Sequence, residues 1–164
     1  YVKPTMTGAT LNTFTVEKTA PGTSWGSVYA QFTQRTTDIT DASMGLSVKR
    51  ELIYDGELKV GSKVKVRITI TADRDYDFVQ VVDKRAACME PIDQTSGYMR
   101  GYYYSPRDNA TYYYTDMMRK GKHVIEATYY IDRPGTFTTG TCTVQCAYSP
   151  AYMARTKSQT LMIK

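Results

Sequence analysis

The chain has 164 residues, with 21 Lys and Arg against 16 Asp and Glu for a net charge of +5. That length suffices for one large domain whose core needs neither a metal nor a disulfide to hold it. The basic residues are interleaved with acids, as in Lys49-Arg50-Glu51 and Asp83-Lys84-Arg85, and lack the one-faced footprint of a nucleic-acid binder. No apolar run is long enough for a signal h-region or a direct membrane span. The first residue is Tyr1, so the chain reads as a piece of a longer protein whose targeting signal lies upstream.

Taken in chain order, the apolar residues follow a period of two, the signature of half-buried strands. Residues 1–10 read as a lead-in from a preceding domain. Phe14 and Val16 alternate in a first expected strand, and Val28, Ala30 and Phe32 in the next. Met44, Leu46 and Val48 open a third, which runs to Tyr54 before the turn at Asp55-Gly56. From Leu58 to Ile70 the even positions are apolar and Lys59, Lys63, Lys65 and Arg67 fall on the other parity, with a turn or bulge at Gly61-Ser62. This basic cluster is the solvated face of a strand. Asp77 to Asp83 is apolar on both parities, as a central strand is. Ile125 to Ile131 alternates up to Arg133-Pro134-Gly135, then Cys142, Val144, Cys146 and Tyr148 share one side, and Leu161 and Ile163 close the chain. The stretch from Cys88 to Thr115 is irregular, with a short strand or hairpin expected around Ala110–Thr115. The fold class is all-β: an antiparallel immunoglobulin-like sandwich of about seven to nine strands, filling residues 11–164 as one domain.

Chemistry-bearing patterns are sparse. His123 is the sole histidine and follows Gly121-Lys122, a turn edge, with no nucleophile elbow to serve. No glycine-rich phosphate loop occurs, so neither a catalytic set, a cofactor nor a metal is expected. Asp73, Asp75 and Asp77 flank Arg74 without the glycine and distal glutamate of a calcium loop, and read as a salt-bridged turn. Cys142 and Cys146, four apart on an extended strand, lie roughly 13 Å apart and cannot pair with each other. Cys88 could bridge one of them in an oxidising compartment; the simpler reading is three small buried hydrophobes. Tyrosines concentrate between Tyr98 and Tyr114, seven within 17 positions. They suit core and edge packing, a partner-domain interface, or a sugar platform.

Particular residues go further. Thr23-Ser24-Trp25-Gly26-Ser27-Val28-Tyr29-Ala30-Gln31-Phe32, Leu58-Lys59-Val60-Gly61-Ser62-Lys63-Val64, Asp83 through Pro91, Lys120-Gly121-Lys122-His123 and Ala147-Tyr148-Ser149-Pro150 together resemble the final domain of bacterial alpha-2-macroglobulins, especially the Bacteroidetes type. Ser62 stands where that family usually has Asp, and Cys88 where it commonly has Gly. The resemblance implies a non-catalytic scaffold and interaction domain of a protease-trapping inhibitor. Its implied partners are the upstream domains of the same large chain, the thioester-type helical domain above all, and target proteases through the full-length protein. It also implies a periplasmic or outer-envelope location, with a lipoprotein parent as one form it could take. Trp25 and Tyr29 are expected at a sheet edge or inter-domain seam, and Tyr98, Tyr102, Tyr103 and Tyr104 facing the missing neighbour. The alternative is a cell-surface adhesin or carbohydrate-binding sandwich resting on the same tyrosines.

Overall fold

The structure, a computed structural model, describes residues 15–26 and 33–164. The chain divides into two compact units, Tyr1–Phe32 and Thr33–Lys164. In the first, residues 15–26 form no strand, and Val16, expected in one, is exposed. An extended segment without a ladder partner does not persist as a strand. Phe14, Tyr29 and the strand expected over residues 28–32 lie outside the described residues.

The second unit is all-β. After a 3-10 turn at Thr36–Asp38 come β1 (Ala42–Met44), β2 (Leu46–Ile53), β3 (Lys63–Ala72), β4 (Tyr76–Lys84), β5 (Met89–Pro91), β6 (Gly97–Met99), β7 (Tyr102–Pro106), β8 (Ala110–Met118), β9 (Gly121–Ile131), β10 (Gly135–Thr138), β11 (Cys142–Cys146), β12 (Met153–Arg155) and β13 (Thr160–Ile163). Eleven strands run in the order β5-β9-β3-β2-β1-β12-β11-β4-β8-β7-β6, and β10 pairs separately with β13. Every pairing is antiparallel.

Gly45 is the corner of this sheet. β1 pairs over its whole length with β12 but meets β2 only at Met44 and Leu46. Between them Gly45 takes φ +72°, a left-handed turn that glycine enters at no steric cost. One sheet thereby folds into two layers: β5-β9-β3-β2, and β1-β12-β11-β4-β8-β7-β6. Alternation supplies the filling. Val64, Val66, Ile68 and Ile70 of β3 meet Val79 and Val81 of β4, Val144 of β11 and Tyr129 of β9 in one core cluster.

Three expectations are corrected here. Val60 is 50% exposed, because the chain turns at Val60-Gly61, with Ser62 N–H donating to Lys59 C=O at 2.9 Å, before β3 begins. β11 ends at Cys146, so Tyr148 leaves the ladder and is exposed. The region after Cys88 is largely ordered: β6 and β7 form a hairpin whose two-residue loop, Arg100-Gly101, has φ +51° and +86°. Two positive values define the type I′ turn that matches strand twist.

Candidate interaction surface

The two layers present unlike outer faces. On β2, β3 and β9 the outward residues form cross-strand rows such as Glu51, Arg67 and Glu126. They are laced by ion pairs, Arg67 Nε to Glu126 at 2.6 Å and Lys49 Nζ to Glu51 at 2.9 Å. Each partner's charge holds the Glu126 and Glu51 carboxyls below their ordinary value, the hydrogen bonds from Arg67 and Lys49 contributing most. This is a solvated face.

The opposite layer carries an uncharged one. Register places Tyr98 of β6, Tyr103 of β7, Tyr114 of β8, Gln80 of β4 and Gln145 of β11 in a single row. The next row holds Tyr112, Val82 and Thr143. Tyr98 packs edge-on against Tyr103 at 5.3 Å, Tyr112 stacks parallel to Tyr114 at 6.2 Å, and Gln80 Nε2 donates to Tyr114 Oη at 3.4 Å. Neither row contains an ionisable acid or base, apart from the phenols, between β6 and β11; Asp116 and the exposed Lys84 border them, and Arg155 of β12 continues the second row opposite Thr143. Of the tyrosines expected at an interface, Tyr98 and Tyr103 are exposed here. Tyr102 is partly buried against the core. Tyr104 is corrected: it is only 3% exposed, because alternation along β7 turns it inward, where its hydroxyl donates to Asp93 C=O at 2.5 Å. Trp25, in the first unit, is exposed.

At one end of this layer the backbone is strained. Phe78 has φ +51°, a conformation that costs a bulky residue about 1–3 kcal/mol. Its ring remains 49% exposed and meets Tyr148, 80% exposed, edge-on at 5.2 Å. The ladder closes around it, with Ala147 N–H donating to Phe78 C=O at 2.8 Å.

Between the layers, charged groups are consumed by structure. Arg50 of β2 and Asp83 of β4 form an ion pair at 3.0 Å with both side chains 2% exposed. The same guanidinium donates to Lys84 C=O at 2.9 Å, Thr139 Oγ1 at 2.6 Å and Gly140 C=O at 2.7 Å. Burial pushes the Asp83 carboxyl up and Arg50 opposes it. Burial, then the nearby Asp83 charge, pushes the Cys142 thiol well up, which keeps it an inert thiol. Cys88, Cys142 and Cys146 are all free and buried. Arg85 pins the following loop, donating to Met89 C=O at 3.0 Å, Asp108 C=O at 3.0 Å and the Arg107 carbonyl. The acidic turn is tied as well: Asp73 accepts from Tyr76 Oη at 2.5 Å and Asp75 from Arg119 and Lys120 N–H, each at 2.7 Å. His123 Nε2 is 2.7 Å from Arg119 C=O.

A second polar link joins the layers: Thr111 Oγ1 and Tyr129 Oη are 2.9 Å apart and buried, whereas the buried Tyr113 hydroxyl has no partner among the described residues. Removing an unpaired buried hydroxyl costs nothing in hydrogen bonding, while removing a paired one strands its partner. Tyr113→Phe should therefore leave stability unchanged or raise it by up to about 1 kcal/mol, and Tyr129→Phe should lower it by about 1–3 kcal/mol; urea unfolding of the two variants measures the contrast. Burial also raises the phenols of Tyr113 and Tyr129, and pushes Tyr76 up to about 12. Unfolded phenols ionise near about 10, so the stability these groups contribute is full below that pH and lost as pH rises through the folded values. Phenolate absorbance from these three tyrosines should appear together with loss of the β-sheet circular dichroism; ionisation without unfolding would contradict their burial.

Comparison with known proteins places this geometry. The sequence model of the bacterial alpha-2-macroglobulin MG10 domain matches residues 28–151. The fold is similar to Salmonella alpha-2-macroglobulin reacted with methylamine, with 22% identity and a TM-score of 0.68 over 77% of this chain and 10% of that one. Trypsin-activated alpha-2-macroglobulin from Escherichia coli matches with 17% identity and a TM-score of 0.68 over 77% of this chain and 11% of that one. The native Escherichia coli protein spanning domain MG7 to the C-terminus matches with 16% identity and a TM-score of 0.68, over 78% of this chain and 25% of that one. The chain thus spans a quarter or less of the solved chains it resembles. A comparison with curated proteins gives no match. By the family match over residues 28–151, the chain belongs to the bacterial alpha-2-macroglobulin MG10 domain family.

Proposed function

We propose that this chain is the non-catalytic, carboxyl-terminal scaffold domain of a bacterial, Bacteroidetes-type alpha-2-macroglobulin-like protease trap, and that it packs against an upstream thioester-type helical domain in the cell envelope. The observation that carries the reading is the Phe78–Tyr148 pair, a strained and solvent-facing aromatic contact on a sandwich whose buried charges are engaged in holding layers together. The thiol beside that network, Cys142 against Asp83, is buried and held in its protonated form, so the role is to hold a conformation. An aromatic lid of this kind would keep water and amines from a reactive bond in the neighbour until a protease releases it.

The test uses the full-length parent with its Cys–Gln thioester. Tyr148→Ala changes an exposed side chain and should shift the stability of the isolated chain by no more than about 0.5 kcal/mol. Losing ~1.4 kcal/mol of closing contact should speed reaction of the uncleaved parent with methylamine about tenfold. An unchanged rate would remove the pair from any shielding role.

A further inference from the structure

The uncharged face carries chemistry of its own, separate from the Phe78–Tyr148 pair. We propose that the row Tyr98, Tyr103, Tyr114, Gln80 and Gln145 is a binding site for a neutral, β-1,4-linked glycan. Such a site is independent of the protease-trap role proposed above.

The groups on the row suit a sugar. A tyrosine offers the C–H face of a pyranose an apolar ring and its hydroxyls a polar tip. Tyr98 is 84% exposed, Tyr103 38% and Tyr114 41%, so three adjacent strands each present a phenol. These rings are held in place: Tyr98 packs edge-on against Tyr103, while Tyr114 stacks on Tyr112 and accepts from Gln80 Nε2. Groups ordered beforehand lose less entropy on binding. Gln80 and Gln145 add amides that both donate and accept. Gln145 Nε2 donates to Pro150 C=O at 3.3 Å, and neither glutamine's Oε1 has a donor among the described residues. Charge then restricts the ligand. The row holds no Lys, Arg, Asp or Glu between β6 and β11, so nothing in it answers a phosphate, sulfate or carboxylate.

Spacing selects the linkage. Strands lie ~4.8 Å apart, which sets Tyr98 of β6 and Tyr114 of β8 about 9.6 Å apart across Tyr103. A β-1,4 chain turns each sugar over relative to the last and shows the same face again at nearly that interval. An α-1,4 chain curls and does not. Four strand intervals from β6 to β11 make the row about 19 Å long, close to the length of a tetrasaccharide.

Area excludes a protein. The five positions of the row and Tyr112, Val82 and Thr143 of the next cover about 33 Å² each, roughly 260 Å² together. Asp116, Lys84 and Arg155 stand at the borders. A protein partner needs about 800 Å² from each side, and a neighbouring domain at least about 300 Å². The face is sized for an oligosaccharide.

Titration with cellotetraose, followed by amide and aromatic NMR shifts, tests the site. Shifts should be confined to β4, β6, β7, β8 and β11, with a Kd of about 1 mM, as two or three aromatic contacts would give. Tyr98→Ala with Tyr114→Ala should weaken binding at least about tenfold. Tyr130→Ala, which removes an exposed tyrosine of the opposite layer, should leave it unchanged. Maltotetraose, which is α-1,4-linked, and a cello-oligouronate, with a carboxylate on each sugar, should each bind at least about tenfold more weakly. Circular dichroism of each variant confirms that the sandwich remains folded. No shift with cellotetraose at about 10 mM, unchanged affinity in the double variant, or equal affinity for maltotetraose or the uronate overturns the inference. So does binding by the isolated chain that is lost in the full-length parent, since a face covered there is no site. None of these results touches the methylamine reaction of Tyr148→Ala, so the proposed function stands or falls on that reaction separately.

Discussion

Asp83→Ala should destabilise the isolated chain by about 3–5 kcal/mol, because it leaves the Arg50 guanidinium buried without its counter-charge. The carboxylate is one of four acceptors on that group, and the remaining three are neutral oxygens. Removing it forces either a desolvated charge or the entry of water between β2 and β4, which would part the layers. Arg50→Lys should cost nearly as much, since an ammonium cannot span Asp83, Thr139 and Gly140 as the planar fork does. By contrast Arg67→Ala, on the solvated face, should leave the unfolding midpoint almost where it was. Replacing the buried pair together by Arg50→Met and Asp83→Leu should recover much of the loss, because desolvation of both charges disappears with them. Equilibrium urea unfolding of the set checks the ordering. A midpoint for Asp83→Ala as close to the parent as that of Arg67→Ala would mean that the pair does not join the layers.

Gly45→Ala is the second large effect. A Cβ at this position would lie 2.2 Å from the Tyr76 hydroxyl and 3.0 Å from the Tyr152 ring, at φ +72°. The ring cannot simply swing away, because Tyr76 is buried, hydrogen-bonded to Asp73 and packed on Tyr152 at 5.5 Å. Backbone strain and overpacking together should cost about 2–4 kcal/mol. The clash has a single named partner, so Tyr76→Phe should absorb part of it. Gly45→Ala should cost at least about 1 kcal/mol less in the Tyr76→Phe background, a coupling that a double-mutant cycle measures directly. Additive losses would place the strain in the backbone alone.

Much of the fold is legible in the sequence because alternation is a local property. The rows Val64, Val66, Ile68 and Ile70, or Cys142, Val144 and Cys146, need only a pleat to segregate them. Leu161 and Ile163 are buried as expected, although they serve a separate pair with β10. What local pattern does not encode is which strand lies beside which. Lys49-Arg50-Glu51 and Asp83-Lys84-Arg85 read in sequence as mixed surface charge, yet Arg50 and Asp83 face inward and meet 33 residues apart. Parity holds the signal: Arg50 shares its side of β2 with Leu46, Val48 and Leu52, and Asp83 shares its side of β4 with Val79 and Val81.

The candidate surface follows the same division. Seven tyrosines close together in sequence announce an aromatic region, but only the register separates inward Tyr104 and Tyr113 from outward Tyr98, Tyr103 and Tyr114. Gln80 and Gln145, from distant strands, carry no sequence mark of belonging to that face. Tyr148 reads as a ladder residue in the alternating pattern, and Phe78 as part of a run apolar on both parities. The left-handed turn that turns one of them out is a property of backbone geometry.

The central claim is that this domain holds a protease trap in its uncleaved shape. Its most direct test is the solution size of the full-length parent before and after a broad-specificity protease, with and without residues 1–164. The account predicts compaction on cleavage in the intact parent, and in the truncated form a size already changed and no longer responsive. A parent that binds no protease and keeps its size, or that compacts equally well without this domain, would contradict it.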